Sequence, residues 1–258
     1  MRFLDFSGQI LMNQMNFCVI FQQLVPYVHV GMKDSLRSLL LICCLSFVQI
    51  VNGDEAPTLL FDGKTFQGWY LFIQEKDKDP AKVFTIEDRC LHISGEKFGY
   101  LSTEKEYTNY ELRLSYKWGD KKWPPREQVV RDSGIIYHAQ GEDTVWCNGL
   151  ELQIQEGDTG DLWLIPGKQE KPTVTLKGVP FGEKKEERRA VKWSTHEKPH
   201  GEWNEVLLVV KGKHFEHWVN GVKVMEGESM DREKGKIQLQ SEGAEVWYRD
   251  ISLVNITE

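Results

Sequence analysis

After Asp54 the 258-residue chain shows no long helical period, no internal repeat and no low-complexity stretch. The missing helical period argues against a helix bundle and against the alternating strand and helix of a parallel sheet. A Gly-rich phosphate loop, a Gly-x-Ser-x-Gly elbow and zinc-ligand spacing are all absent, so those chemistries lack their motifs. Positive charge is scarce as well: beyond residue 53 there are 29 Lys and Arg against 37 Asp and Glu. That balance makes charge-driven binding to nucleic acid or an anionic membrane a poor expectation. Residues 1–53 contain no Trp but hold three of the five Cys, whereas all nine Trp lie between Trp69 and Trp247. The chain therefore divides into an extension, 1–53, and one domain, 54–258.

Within the extension, Met32-Lys33-Asp34-Ser35-Leu36-Arg37 is weakly basic, Ser38–Ile50 is apolar, and Gly53 precedes Asp54 and Glu55. A basic start, an apolar run and a small residue are the layout of a secretory signal. As a helix the run would measure roughly 20 Å, short against a bilayer core of about 30 Å. Ile42 is bulky where a lipid-anchor signal would have a small residue, so Cys43 and Cys44 do not read as lipidation sites. The stretch Ile10–Val30 is broken by Asn13, Gln14, Asn16, Gln22, Gln23 and Pro26, which makes Met32 the expected start. Export to the periplasm, cell surface or medium is expected, with no stable membrane span after cleavage. Cys90 and Cys147 remain, and in an oxidising compartment they could pair.

After Asp54, short runs with a period of two recur between turn residues. Tyr110, Leu112, Leu114, Tyr116 and Trp118 share one face of a strand, with Glu111, Arg113, Ser115 and Lys117 on the other. Val206–Val210 is apolar on both faces and reads as an inner strand. His214–Val219 and Val222–Met225 flank Asn220-Gly221, a pair suited to a type I′ hairpin turn. Further strands are expected at Val83–Ile86, Cys90–Ser94, Ser133–Ala139, Leu150–Gln155, Lys236–Gln240 and Val246–Leu253. Glu183–Arg189 reads as a solvated loop, and Trp123-Pro124-Pro125 marks another. The fold class is all-β, a two-sheet antiparallel sandwich or jelly roll.

Strand Leu150–Gln155 carries the most chemistry. Glu151, Gln153 and Gln155 alternate with Leu150, Leu152 and Ile154, so one acid and two amides share a face. Such a row suits hydrogen bonds to sugar hydroxyls. Glu156 adds a second acid at the following loop, while Tyr137, His138 and Trp146 flank the strand in sequence. His214 and His217 should face opposite sides of one strand, and no metal ligand is assigned.

Several segments, in order, resemble the 3-keto-disaccharide hydrolase family. They are Leu60-Phe61-Asp62-Gly63-Lys64 with Gly68-Trp69, Leu101-Ser102-Thr103, Asp132-Ser133-Gly134-Ile135 and Gly149-Leu150-Glu151-Leu152-Gln153-Ile154. Lys198-Pro199-His200-Gly201-Glu202-Trp203-Asn204, Gly235-Lys236-Ile237-Gln238-Leu239-Gln240 and Val246-Trp247-Tyr248-Arg249-Asp250-Ile251 follow. Asp132 and Asp250 stand where the family usually has Asn, and His138 where an Arg is common. The resemblance implies a concanavalin-like jelly roll and an exported enzyme that cleaves 3-keto-glycosides by elimination, hydration or both. On that basis Glu151 or His138 is expected as base and Glu156 as acid. Gln153, Gln155, Tyr137, Trp146 and Arg249 are expected to hold the oligosaccharide or glycoside, with Arg249 reaching an acid such as Glu151. No cofactor is required, and a divalent cation is left open. A non-catalytic carbohydrate-binding module and a conventional two-carboxylate glycosidase are the alternatives.

The signal layout predicts a mature chain starting near Asp54. Intact-mass analysis of the secreted product should show loss of Ser38–Ile50, and retention of that segment would overturn the expectation.

Overall fold

The computed structural model describes residues 57–178 and 188–256. The expected export segment and most of the charged stretch Glu183–Arg189 lie outside the described residues. The strands run in order β1 (Thr58–Leu59), β2 (Trp69–Ile73), β3 (Phe84–Glu87), β4 (Cys90–Ile93), β5 (Gly99–Thr103) and β6 (Tyr110–Lys122). Then come β7 (Asp132–Gln140), β8 (Asn148–Gln155), β9 (Leu162–Ile165), β10 (Thr175–Leu176) and β11 (Arg189–Ala190). β12 (Asn204–Lys211), β13 (His214–Val219), β14 (Val222–Glu228), β15 (Lys236–Ser241) and β16 (Ala244–Asn255) complete the set.

They form two antiparallel sheets. One has the order β10-β14-β13-β12-β6-β16-β4-β3, with β1 on β16; the other is β11-β9-β8-β7-β15-β5-β2. The period of two decides which side chains meet between them. Tyr110, Leu112, Leu114, Tyr116 and Trp118 of β6 are buried in a core shared with Leu150, Leu152 and Ile154 of β8 and with Ile237 and Leu239 of β15. The opposite faces of β8, β7 and β15 are thereby turned away from the core, and they carry the site described below.

Most expected strands lie where the pattern put them. Asn220 and Gly221 have φ of 48° and 80°, the left-handed pair a type I′ turn demands. β12 does lie inside its sheet, between β6 and β13. Its outer face is nevertheless only half-buried at Leu207 and Val209. Strands β2 and β9 are short and apolar without alternation, and β5 is a short Gly-Tyr-Leu-Ser-Thr stretch, so the pattern does not announce them. Cys90 in β4 belongs to one sheet and Cys147 precedes β8 in the other; both are free thiols. Among the described residues, no helix is long and apolar enough to cross a membrane.

β7 bulges at its end. Its register with β8 shifts between Tyr137 and Gln140, and His138 takes a φ of 51°. The Gly235 backbone lies so close to that of His138 that a Cβ there would overlap it. The bulge buries the His138 ring, whose Nδ1 lies 2.7 Å from the Arg232 carbonyl oxygen. Inside the sandwich, His217 sits between the Tyr137 hydroxyl at 3.1 Å and the Gly160 carbonyl at 3.1 Å.

Burial pulls the His217 imidazole down to about 4 from its ordinary 6.5. A base depressed in the folded state stabilises the fold above its unfolded pKa, and that contribution is lost as pH falls through the folded one. Stability should therefore drop by up to about 3 kcal/mol between pH 6.5 and 4 from this group. Urea denaturation at both pH values should show a shallower acid loss in His217→Gln. Equal losses in the two proteins would refute the assignment.

Candidate active site

The outward faces of β8, β7 and β15 combine through their registers. Gln153 stands opposite Gly134 and Glu151 opposite Ile136, while Gln238 stands opposite Ile136 on the other side. Glu151, Gln153, Gln238 and Gln240 thus share one surface. Gly134 lies between them, and a Cβ on it would collide with Glu151 Oε1 and Gln240 Oε1. Only a glycine lets the carboxyl and the amide close over the middle strand.

Two further acids reach the same place. Asp132 opens β7, and Gln153 Nε2 donates to its Oδ1 at 3.0 Å. Glu242 follows β15 directly and accepts from Trp146 Nε1 at 2.5 Å. The turn after Trp123-Pro124-Pro125 brings in Arg126, which pairs with Asp132 and lies 3.4 Å from Glu242 Oε2. Asp132, Glu151 and Glu242 are only 3%, 5% and 5% exposed. All line a cleft of about 820 Å³, together with Trp146, Trp163 and Arg126.

Three carboxyls share one guanidinium in a desolvated place, so all three hold protons more tightly than usual. Burial pushes Asp132 up to about 8; Glu242 adds to the effect, and Arg126 opposes it. Glu151 is driven well above the carboxylate range by burial, then by Glu242 and Asp132. Burial raises Glu242 too, but the Trp146 N–H and Arg126 hold it back. Glu151 therefore holds its proton far more tightly than an ordinary carboxyl, and Glu242 is the acid whose rise the Trp146 N–H and Arg126 oppose most directly. Gln153 Oε1 and Trp163 Nε1, both in the lining of the cleft, are buried with no protein partner among the described residues. These are free positions for a hydroxyl-rich ligand.

Of the expected site residues, Glu151, Gln153 and Trp146 come together in the cleft. Trp146 is 48% exposed, so it is a wall of the cleft and not a core residue. Gln155 stands opposite Asp132 at the end of the same face, half-buried. Four others lie elsewhere. Glu156 is held by the Arg131 backbone N–H and guanidinium, both at 2.9 Å, in the turn beyond β8. Tyr137 faces the core, because Glu151 pairs with Ile136 and its neighbour must point the other way. His138 is buried by the bulge. Arg249 belongs to the opposite sheet, where it stacks 4.0 Å from the Trp203 ring, so no bridge to Glu151 forms.

Asp132 entered the sequence reading only as a departure from a family pattern, and Glu242, Arg126 and Trp163 not at all. A signal for Glu242 existed: Gln238, Gln240 and Glu242 alternate with Ile237, Leu239 and Ser241, the same acid and amide row as in β8. For a cation, Asp132, Glu151 and Glu242 offer oxygen atoms here. Among the described residues, the tighter cluster of His214, Glu216 and Glu226 lies on the other sheet, where Lys223 already pairs with both acids.

The two antiparallel sheets form a concanavalin-like jelly roll, with the acid-floored cleft on one sheet. The chain belongs to the family of 3-keto-alpha-glucoside-1,2-lyase-like domains, whose profile matches residues 56–254. It is 26% identical over 243 residues to a 3-keto-disaccharide hydrolase of Bacteroides thetaiotaomicron, covering 78% of each chain. A crystal structure from Parabacteroides distasonis, provisionally assigned as a glycosyl hydrolase, superposes with a TM-score of 0.54 at 22% identity. That match covers 78% of this chain and 94% of the other. The carbohydrate-binding module CBM66 of Bacillus subtilis gives 0.50 at 8% identity, over 73% and 96%.

A carboxyl raised by burial favours the fold while protonated, and its contribution is lost as pH rises through the folded pKa. For Asp132 that window runs from 3.8 to about 8. Asp132→Asn mimics the protonated acid, so its stability relative to wild type should increase between about pH 4 and pH 8. Thermal unfolding across that range checks this; a constant difference would exclude a raised Asp132.

Proposed function

We propose that this protein is an exported hydrolase of 3-keto-glycosides that works by elimination and then hydration. The observation that carries the proposal is the burial of Glu151, Asp132 and Glu242 against a single arginine at the floor of an open cleft. Family membership and the named relative support the substrate class.

A ketone at C3 acidifies the proton on C2. Glu242, where the Trp146 N–H and Arg126 favour the carboxylate against burial, takes that proton, and the C2–H electron pair forms an enolate whose charge rests on the C3 oxygen. Arg126 is the cation available to that oxygen. The enolate collapses, the C1–O bond breaks, and Glu151 gives its proton to the departing oxygen. Water then adds at C1 of the unsaturated ketone with the proton transfers reversed, and the sum is hydrolysis. Gln153 offers both a donor and an acceptor to the ring hydroxyls, and Trp146 offers a flat wall. This assignment moves the base from Glu151 or His138 to Glu242, because a carboxyl raised well above its ordinary value serves better as the acid and His138 is buried away from the cleft.

The test is incubation of the mature protein with a 3-keto-disaccharide and with its unoxidised parent, with and without chelator. Turnover of the keto sugar alone is expected. Turnover of the parent would point to a conventional glycosidase, and binding without turnover to a carbohydrate-binding module. Glu151→Gln should lower the single-turnover rate about 10²–10⁴-fold while leaving affinity nearly unchanged. A variant keeping more than about a tenth of the rate would remove Glu151 from proton transfer.

A further inference from the structure

The two sides of the cleft have opposite hydrogen-bonding character. Over β8, β7 and β15 the floor is carboxyls and amides, which suits hydroxyl groups. Toward β9 the polar side chains lining it are Trp163, Lys168 and Arg188. An indole N–H, an ammonium and a guanidinium donate and never accept.

This end is built around Trp163. It stands directly opposite Glu151 in the β8–β9 register. Its ring is backed by Arg189, 5.6 Å away, and Arg189 is itself clamped by Asp161 at 2.7 Å and Asp158 at 2.8 Å. The indole Nε1 is nonetheless buried without a protein partner among the described residues. The Leu164 N–H donates to the Arg188 carbonyl at 2.7 Å, which anchors the Arg188 backbone while its side chain stays exposed and without an ion pair among the described residues. Lys168 meets Glu142 at 3.2 Å, with both side chains mostly in solvent, so that pair is weak. In a chain of formal net charge −7, two available cations beside a held aromatic ring are a local exception.

Glu151 is the acid nearest this end, and under the function proposed above it protonates the departing oxygen. The departing group therefore extends over Trp163. We infer that the β9 end is a leaving-group subsite selective for an anionic aglycone, one carrying a carboxylate that Arg188 and Lys168 receive while its ring lies on Trp163. This inference rests on the proposed function for the direction of departure, and on the donor set for the charge.

The test compares para-carboxyphenyl and para-carbamoylphenyl glycosides, which match in shape and differ in charge. Their 3-keto forms report kcat/KM, and their unoxidised parents report Kd through Trp fluorescence. Wild type should favour the carboxylate about tenfold in both measurements, as expected for one or two charge-assisted contacts. The preference should shrink as salt is raised, since both cations are exposed. In a Lys168→Gln, Arg188→Gln double variant it should vanish, with the carbamoyl compound changed less than about twofold. Equal handling of the two compounds by wild type, or a preference that survives in the double variant, would overturn the subsite. Turnover without preference leaves the proposed function standing and sinks the subsite. Preferential binding of the carboxylate without turnover of either keto form leaves an anion site at the β9 end standing and sinks the proposed function, and with it the leaving-group role.

Discussion

The burial of three carboxyls against one guanidinium is the constraint to which the rest of the site answers. Removing an ionised carboxylate from water is expensive, so such groups neutralise by holding protons or recruit a cation. Asp132, Glu151 and Glu242 do both. Arg126 reaches two of them from the turn after Trp123-Pro124-Pro125, and Trp146 adds a donor to Glu242. Gly134 lacks a side chain because Glu151 and Gln240 need its space. Each of these details would be unmotivated on a plain sheet face, and together they raise the proton affinity of all three acids.

The stability for this arrangement comes from the other side of the same strands. Leu150, Leu152 and Ile154 are fully buried in the core while Glu151 and Gln153 face the cleft. Alternation thus puts cohesion and chemistry on opposite faces of one strand. The groups on the two faces also answer pH in opposite senses. His217 in the core favours the fold when neutral, and the cleft acids favour it when protonated. The protein is held between these demands, as expected where a functional site is carried at some cost to stability.

Much of this was legible in the sequence, and the limits have a physical cause. A period of two marks a strand and its two faces, which is why β6, β8 and the β13–β14 hairpin could be read directly. It does not say which face meets which sheet. Tyr137 and Arg249 were misplaced for that reason: the first is set by the β7–β8 register, the second by membership of the opposite sheet. Glu156 is taken up by Arg131, a partner 25 positions away that no local pattern announces. His138 was misplaced by a bulge, where one residue with positive φ breaks the alternation that the pattern assumes. Arg126 was hidden in a loop, where no periodicity exists to read.

The fold alone does not separate a catalyst from a binding module, since the same sandwich superposes on a carbohydrate-binding module and on chains assigned as glycosyl hydrolases. The separation lies in the chemistry of the floor. A surface meant only to hold sugar is well served by amides, which donate and accept without a desolvation penalty for charge, and Gln153 is of that kind. Three carboxyls in the same space add repulsion and proton uptake while giving no hydrogen bond that amides could not give. Glu242 sharpens the point, because after burial its charge is the largest cause that raises Glu151. An amide at that position would still accept from the Trp146 N–H and would remove the repulsion. What the carboxylate adds is a higher proton affinity on its neighbour, which is of use to a group that must deliver a proton and of none to a group that only binds.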